Sequence, residues 1–220
     1  QSFLYLLKTL ALGSKKILNK LSGRSFRWHV CYQFVNDWRY PIIKNSTIIK
    51  NPHNRFLADP FTVNYNNRKT IFVEDYDFSV NKGKISAYEI TSEGHKEIGV
   101  ALEEKFHLSY PFLFELDEGL FMVPETHEAK DIRIYKCIEF PNKWKLHKVL
   151  MDNVRAADTS VVKIKDMWYL LTNICSAGIG MHGSELHIFY SKNIDSDIWT
   201  PIECGNPVLF DARYTRNGGL

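Results

Sequence analysis

Three carboxylates in this chain stand where acid–base chemistry could be done. Asp59 lies in Ala58-Asp59-Pro60-Phe61, Glu125 in Val123-Pro124-Glu125-Thr126, and Asp158 in Ala157-Asp158-Thr159-Ser160. Carboxyl groups gathered in one cleft can differ in protonation. One stays ionised as base or nucleophile, and another is kept protonated as an acid by burial or like-charged neighbours. A pair divided in this way suits glycosidic bond chemistry, and its separation tells retention from inversion. Each residue also has a structural reading. An Asp ahead of Pro or Thr-Ser often caps a turn, and a solvated Glu at a strand end is ordinary. The chemical reading rests on recurrence at matched positions.

That recurrence has a period near fifty residues. Ala58-Asp59-Pro60-Phe61, Ser109-Tyr110-Pro111-Phe112 and Ala157-Asp158-Thr159-Ser160 open three similar segments, with Asp59, Tyr110 and Asp158 spaced 51 and 48 residues apart. Strand-like runs follow each opening: 69–74, 85–90 and 97–102; then 120–123, 132–137 and 144–150; then 168–172, 186–191 and 199–204. Turn residues separate first from second strands at Asn66-Asn67, Asp117-Glu118-Gly119 and Lys165-Asp166. Four strands at this period predict the blade of a β-propeller. The expected fold is therefore all-β, with three complete blades plus parts. Residues 27–50 read as strand material able to close the ring by pairing with a C-terminal blade, and 211–220 as the start of a fourth blade. Three blades alone would leave open edges, so the intact protein is expected to continue past Leu220. A β-sandwich is the rival fold, but it does not require self-similarity at this period.

Blade geometry gathers particular residues on one face. Starts of first strands bring Asp59, Ser109, Tyr110 and Asp158. Ends of second strands bring Glu74, Asp75, Glu125 and Asn173. Links leading into the blades bring His107 and Arg155, and the loops between second and third strands bring Asp77, His127 and the insertion 176–184. Asp59, Glu125 and Asp158 are the catalytic candidates. The others are substrate-binding candidates, apart from the loop residues, to which no chemistry is assigned. Arg155 could meet an anionic group or pair with Asp152 or Asp158. His107 could equally be a hydrogen-bonded structural residue. Trp144, Trp168 and Trp199 fall on strand positions and read as packing.

Composition narrows the classes. With 220 residues, 45% hydrophobic and 14% aromatic, the chain can bury a real core and is not disordered. A net charge of +3 without a clustered basic stripe excludes a nucleic-acid partner. Cys31, Cys137, Cys175 and Cys204 form no close pair, so neither a zinc nor a redox motif is present. They read as free thiols in a reducing, cytoplasmic compartment. Residues 1–24 read as a basic amphipathic helix or linker bearing Lys8, Lys15, Lys16 and Lys20. The apolar run is too short to span a bilayer. It would pack on the domain or lie on a membrane surface. Residues 25–220 would form the propeller domain, truncated at its C-terminus. Cofactors stay open: a divalent ion in the axial channel fits the acids, though no ligand spacing demonstrates one. No Gly-rich phosphate loop, nucleophile elbow, HExxH or EF-hand loop is present.

Longer strings carry a resemblance. They are Phe56-Leu57-Ala58-Asp59-Pro60-Phe61, Phe72-Val73-Glu74-Asp75-Tyr76-Asp77, Lys82-Gly83-Lys84-Ile85-Ser86, FHLSYPF (106–112), Val123-Pro124-Glu125-Thr126, VRAAD (154–158), Asn206-Pro207-Val208 and Asp211-Ala212-Arg213. From about Trp28 to Leu220 the chain resembles the N-terminal domain of the glucosamine inositolphosphorylceramide transferases and their bacterial relatives. That domain is in turn similar to the five-bladed propeller of glycoside hydrolase family 43. In that family an Asp early in the first blade is the base, a second Asp tunes and orients, and a Glu is the acid. The resemblance thus implies Asp59 as base, with Glu125 and Asp158 as candidates for the other two roles. It also adds Asp211 and Arg213 to the substrate-binding set. Tyr110 departs from the pattern, standing where the other two repeats have Asp. The plant transferases also carry a separate glycosyltransferase domain, absent from this chain.

Three functions follow as expectations. The first is an enzyme that cleaves or transfers a glycosyl unit in cell-surface polysaccharide or glycolipid biosynthesis. The second is a non-catalytic module that binds a glycan or sugar nucleotide for a partner glycosyltransferase. The third, a protein-interaction scaffold, has no need of converging acids. The partners implied are a carbohydrate or glycolipid, a glycosyltransferase domain, and a membrane surface touched by the N-terminal helix.

Overall fold

The computed structural model describes residues 27–37, 39–176 and 184–218. The predicted N-terminal helix, residues 1–24, lies outside the described residues. The chain begins with a small antiparallel pair, β1 (Val30–Tyr32) and β2 (Thr47–Ile49). Three antiparallel sheets follow, each built in chain order from its inner strand outward. The first contains β3 (Arg55–Tyr65), β4 (Arg68–Asp77), β5 (Lys82–Thr91) and β6 (Gly94–Leu102). The second contains β7 (Ser109–Leu116), β8 (Gly119–Glu125), β9 (Asp131–Glu139) and β10 (Lys143–Asp152). The third contains β11 (Ala156–Ile164), β12 (Met167–Ile174), β13 (Glu185–Ser191) and β14 (Thr200–Pro201), with β15 (Leu209–Phe210) also pairing with β13. β3 packs beside β7, and β7 beside β11.

The second strands show why the sheets stack. Residues Thr70 to Asp75 of β4 and Leu120 to Pro124 of β8 are buried without a break. A short apolar run of this kind marks a strand covered on both faces. The outer strand β10 is mostly exposed and carries Lys143, Lys145 and Lys148, charges that discourage pairing at a free edge. Phe72, Ala87, Met122 and Tyr135 pack between the first two sheets, and Trp144 meets Phe72 edge-on at 5.6 Å. Phe121, Val161, Trp168, Phe189 and Trp199 belong to a second cluster, joining the second and third sheets. The Asn66-Asn67 turn between β3 and β4 has φ of 51° and 60°, the two positive angles of a type I′ hairpin.

Among the described residues β1 and β2 pair only with each other, and Val30 and Ile49 bury against Leu57, Ile71 and Tyr88 of the first sheet. Leu209–Phe210 adds to the third sheet, and beyond it Thr215 and Asn217 hydrogen-bond Asn173 of β12. Among the described residues the two helical turns are 3-10, at Ile43–Asn45 and His127–Ala129. Among the described residues no helix is long and apolar enough to cross a membrane.

Candidate functional site

Every first strand carries the same irregularity. Two residues stand opposite one between Ala58 and Phe61, between Ser109 and Phe112, and between Ala157 and Ser160. The residues inside these bulges, Asp59, Tyr110 and Asp158, have φ of 46°, 45° and 51°. Asp adopts this left-handed region readily, whereas for Tyr it is unusual. A bulge bends its strand and re-aims a side chain. It also releases a peptide N–H from the ladder. That of Asp158 reaches Oε2 of Glu125 at 3.3 Å, and that of Tyr110 hydrogen-bonds the Asp59 carboxylate. Both of these N–H groups therefore hold a carboxyl group from the blade before.

A second set of equivalent positions faces the bulges. Glu74 pairs with Ala58, Glu125 with Ser109, and Asn173 with Ala157. The blades thus contribute Asp59 with Glu74, Tyr110 with Glu125, and Asp158 with Asn173. All of these but Asn173 line a cavity of about 870 Å³ together with Trp28, Phe56, Phe61, His107, Ser109, Phe112, Arg216 and Asn217. That volume falls within the roughly 300–1,000 Å³ typical of small-molecule sites.

The electrostatics follow from crowding. Burial, then the charges of Asp59, Glu125 and Asp75, push the Glu74 carboxyl up to about 8. Burial and the charge of Asp158 push Glu125 up to about 7. Asp59 is raised by burial and by Asp158, against the Tyr110 N–H and Arg216. Asp158 is held by Arg216, whose Nε donates to Oδ2 at 2.6 Å and whose Nη2 reaches Oδ1 at 3.3 Å. The Arg216 side chain is 64% exposed, while that of Asp158 is 3% exposed.

The remaining candidates lie elsewhere. Asp75 follows Glu74 and so points to the other face of β4, where Arg55 and the Ser86 hydroxyl each bind its Oδ2 at 2.7 Å. Asn173 is buried and works as a clamp: its side chain binds Thr215 O at 2.8 Å and accepts from Asn217 N at 2.8 Å. Asp211 and Arg213 pair with each other at 2.7 Å and do not line the cavity. Arg155 is exposed, and the ion partner of Asp158 is Arg216 where Arg155 had been considered. Among the described residues no cluster of three or more His, Cys, Asp or Glu side chains is arranged to hold a metal ion.

Sequence reasoning missed Arg216 and Asn217. Asn217 donates to Asp158 O at 2.7 Å and Ser160 Oγ at 3.1 Å. The available signal was spacing, since Arg216 comes 58 residues beyond Asp158, close to one further repeat.

The family model for "Glucosamine inositolphosphorylceramide transferase 1, N-terminal" matches residues 28–219. The chain belongs to this family. The rice (Oryza sativa subsp. japonica) glucosamine inositolphosphorylceramide transferase 1 is 32% identical over 215 residues, covering 96% of this chain and 27% of the rice protein. The Arabidopsis thaliana protein of that name is 30% identical over 168 residues, covering 74% of this chain and 22% of its own length. The chain thus spans about a quarter of the curated relatives it matches. Among solved structures, a GH43 β-1,3-galactosidase superposes with a TM-score of 0.57 at 13% identity, covering 71% of this chain and 35% of that one. A family 117 glycoside hydrolase from Zobellia galactanivorans gives 0.55 at 11% identity, with 73% and 59% covered. The likeness shows a propeller-type fold. The family suggests a carbohydrate-active role.

Proposed function

We propose that this domain cleaves or transfers a glycosyl unit at the Asp59–Glu125–Asp158 mouth, in glycolipid or cell-surface polysaccharide biosynthesis. The observation that carries the reading is the convergence of these three carboxyl groups, one from each blade, on one cavity. Glu125 is the acid: its raised pKa leaves it partly protonated near neutral pH, as proton delivery to a leaving oxygen requires. Asp59 is the base that activates the acceptor, water or a sugar hydroxyl. Asp158 is a positioning residue. Its N–H orients Glu125 and its charge raises the Glu125 pKa, while Arg216 fixes its own carboxylate. Phe61 and Tyr110, edge-on at 4.8 Å, offer apolar surface to a sugar ring.

The test is product release from β-1,3-galactotriose and from arabino-oligosaccharides, followed by anion-exchange chromatography. Release by the wild type and its loss in D59N and E125Q supports catalysis. Equal release by wild type and both variants overturns it.

A second reading is a glycan-binding module for a glycosyltransferase. It is favoured because the curated relatives carry most of their length outside the matched region. It predicts saturable binding of those oligosaccharides with no product after long incubation.

A further inference from the structure

Glu74 occupies the place in the first blade that Glu125 occupies in the second, each opposite the residue that precedes a bulge. Beside it stands His107, in the link leading into the second blade. Nε2 of His107 lies 3.5 Å from Glu74 Oε1. His107 is held firmly. Its backbone N–H donates to Glu128 Oε2 at 2.8 Å, and the next N–H, of Leu108, donates to Gly83 O at 3.0 Å. The ring nitrogen Nδ1 accepts from the Gly83 N–H at 2.9 Å. A neutral imidazole has one donor and one acceptor nitrogen, so the proton of His107 is on Nε2, toward Glu74. The approach depends on glycine: a Cβ at residue 83 would lie 2.5 Å from Leu108 O and 2.7 Å from His107 Cε1.

The groups facing Glu74 are Asp59 from β3, Glu125 from β8 and His107 from the link, while Asp75, next to it on β4, adds its charge from the opposite face. Beyond them stand Asp158 and its partner Arg216. The carboxylates and burial keep Glu74 protonated at neutral pH. Burial likewise lowers the His107 pKa and favours the neutral ring, against the pull of Glu128. This wall therefore presents an N–H and a carboxyl group, uncharged yet rich in hydrogen-bonding capacity. Beside it, Phe56 stacks on Tyr76 at 5.0 Å, and Tyr76 lies 5.8 Å from the His107 ring.

We propose that Glu74 and His107 are the specificity-determining pair of the cavity, reading the hydroxyl groups of an uncharged sugar unit. The proposal rests on the carbohydrate reading above. A uronate or phosphate at this wall would meet the charge of Asp59, a repulsion that a neutral sugar escapes. A neutral pyranose supplies hydroxyls that both donate and accept, and an apolar face for the aromatic neighbours.

A glycan microarray bearing neutral, uronate-containing and phosphate-containing oligosaccharides tests this, with the wild-type chain, E74A, E74Q and H107F, each checked by thermal melting. The wild type should bind neutral glycans in preference to anionic ones. E74A and H107F should lose tenfold or more in affinity. E74Q keeps an uncharged hydrogen-bonding head group, so it should recover most of the binding. It should also abolish the decline seen in the wild type between pH 7 and 9. If E74A fails to fold, E74Q and H107F carry the test. Wild-type affinity in folded E74A and H107F, or a preference for anionic glycans, overturns the assignment and leaves the catalytic reading standing. Failure of the folded wild type to bind any glycan overturns both.

Discussion

The peptide N–H of Asp158 lies 3.3 Å from the Glu125 carboxylate, joining two residues 33 positions apart in the chain and in adjacent blades. The contact exists because the third inner strand bulges at Asp158 and frees its N–H from the ladder. It makes the proton affinity of Glu125 depend on the third blade as much as on its own.

Activity should therefore fall on the alkaline side with a midpoint near 7, because Glu125 must be protonated to act. D158N removes the negative charge that raises this pKa and frees Arg216, which lowers it. The alkaline limb should then move to lower pH, as a profile of kcat/KM on whichever oligosaccharide is turned over will show. An unmoved limb would mean that another group sets it.

Stability should depend on pH through the same crowding. Glu74 and Glu125 have folded pKa values raised to about 8 and about 7. Their neutral forms favour folding, so that contribution is complete below the usual carboxyl range and is lost as pH climbs through 7 and 8. E74Q stays neutral throughout. It should match the wild type near pH 4 and exceed it at pH 9 by on the order of 2–4 kcal/mol, read by denaturant unfolding at both pH values.

Tyr110 holds a left-handed conformation that costs a bulky residue about 1–3 kcal/mol. Packing against Phe61 and a 3.0 Å bond to Ser160 Oγ offset that strain. Y110F should lose about 1 kcal/mol, seen as a fall of several degrees in Tm. An unchanged Tm would show that this bond adds nothing.

Gly83→Ala should be more damaging than an ordinary strand substitution. The new methyl would press on the Leu108 carbonyl and the His107 ring, at a cost of about 1–3 kcal/mol for overpacking. Because the link must shift, the His107 ring signals in an NMR spectrum should move as well. A stable variant with unmoved signals would contradict the close approach.

The blades were legible because their inner strands open on related tetrads and their second strands are unbroken apolar runs, as in Leu120-Phe121-Met122-Val123. The gathering of Asp59, Glu74, Glu125 and Asp158 was legible for the same reason, since strand starts and ends share an edge. Asp75 was grouped with Glu74 by nearness in sequence, yet the two-residue period of a strand sends it to the opposite face. Asp211 and Arg213 looked like site residues, but they satisfy each other through a local turn and an ion pair. Arg216 stayed hidden because it belongs to no strand. Its position depends on the Asn173 clamp across 42 to 44 residues, and hydrophobic periodicity carries no trace of such a contact.

The most direct test is a crystal structure of the E125Q chain soaked with β-1,3-galactotriose or an arabino-oligosaccharide. A sugar unit seated in the cavity, with one hydroxyl or glycosidic oxygen in hydrogen-bonding reach of residue 125 and its opposite face toward Asp59, is the expected result. A sugar bound at another surface, with Asp59, Glu125 and Asp158 untouched, would contradict it.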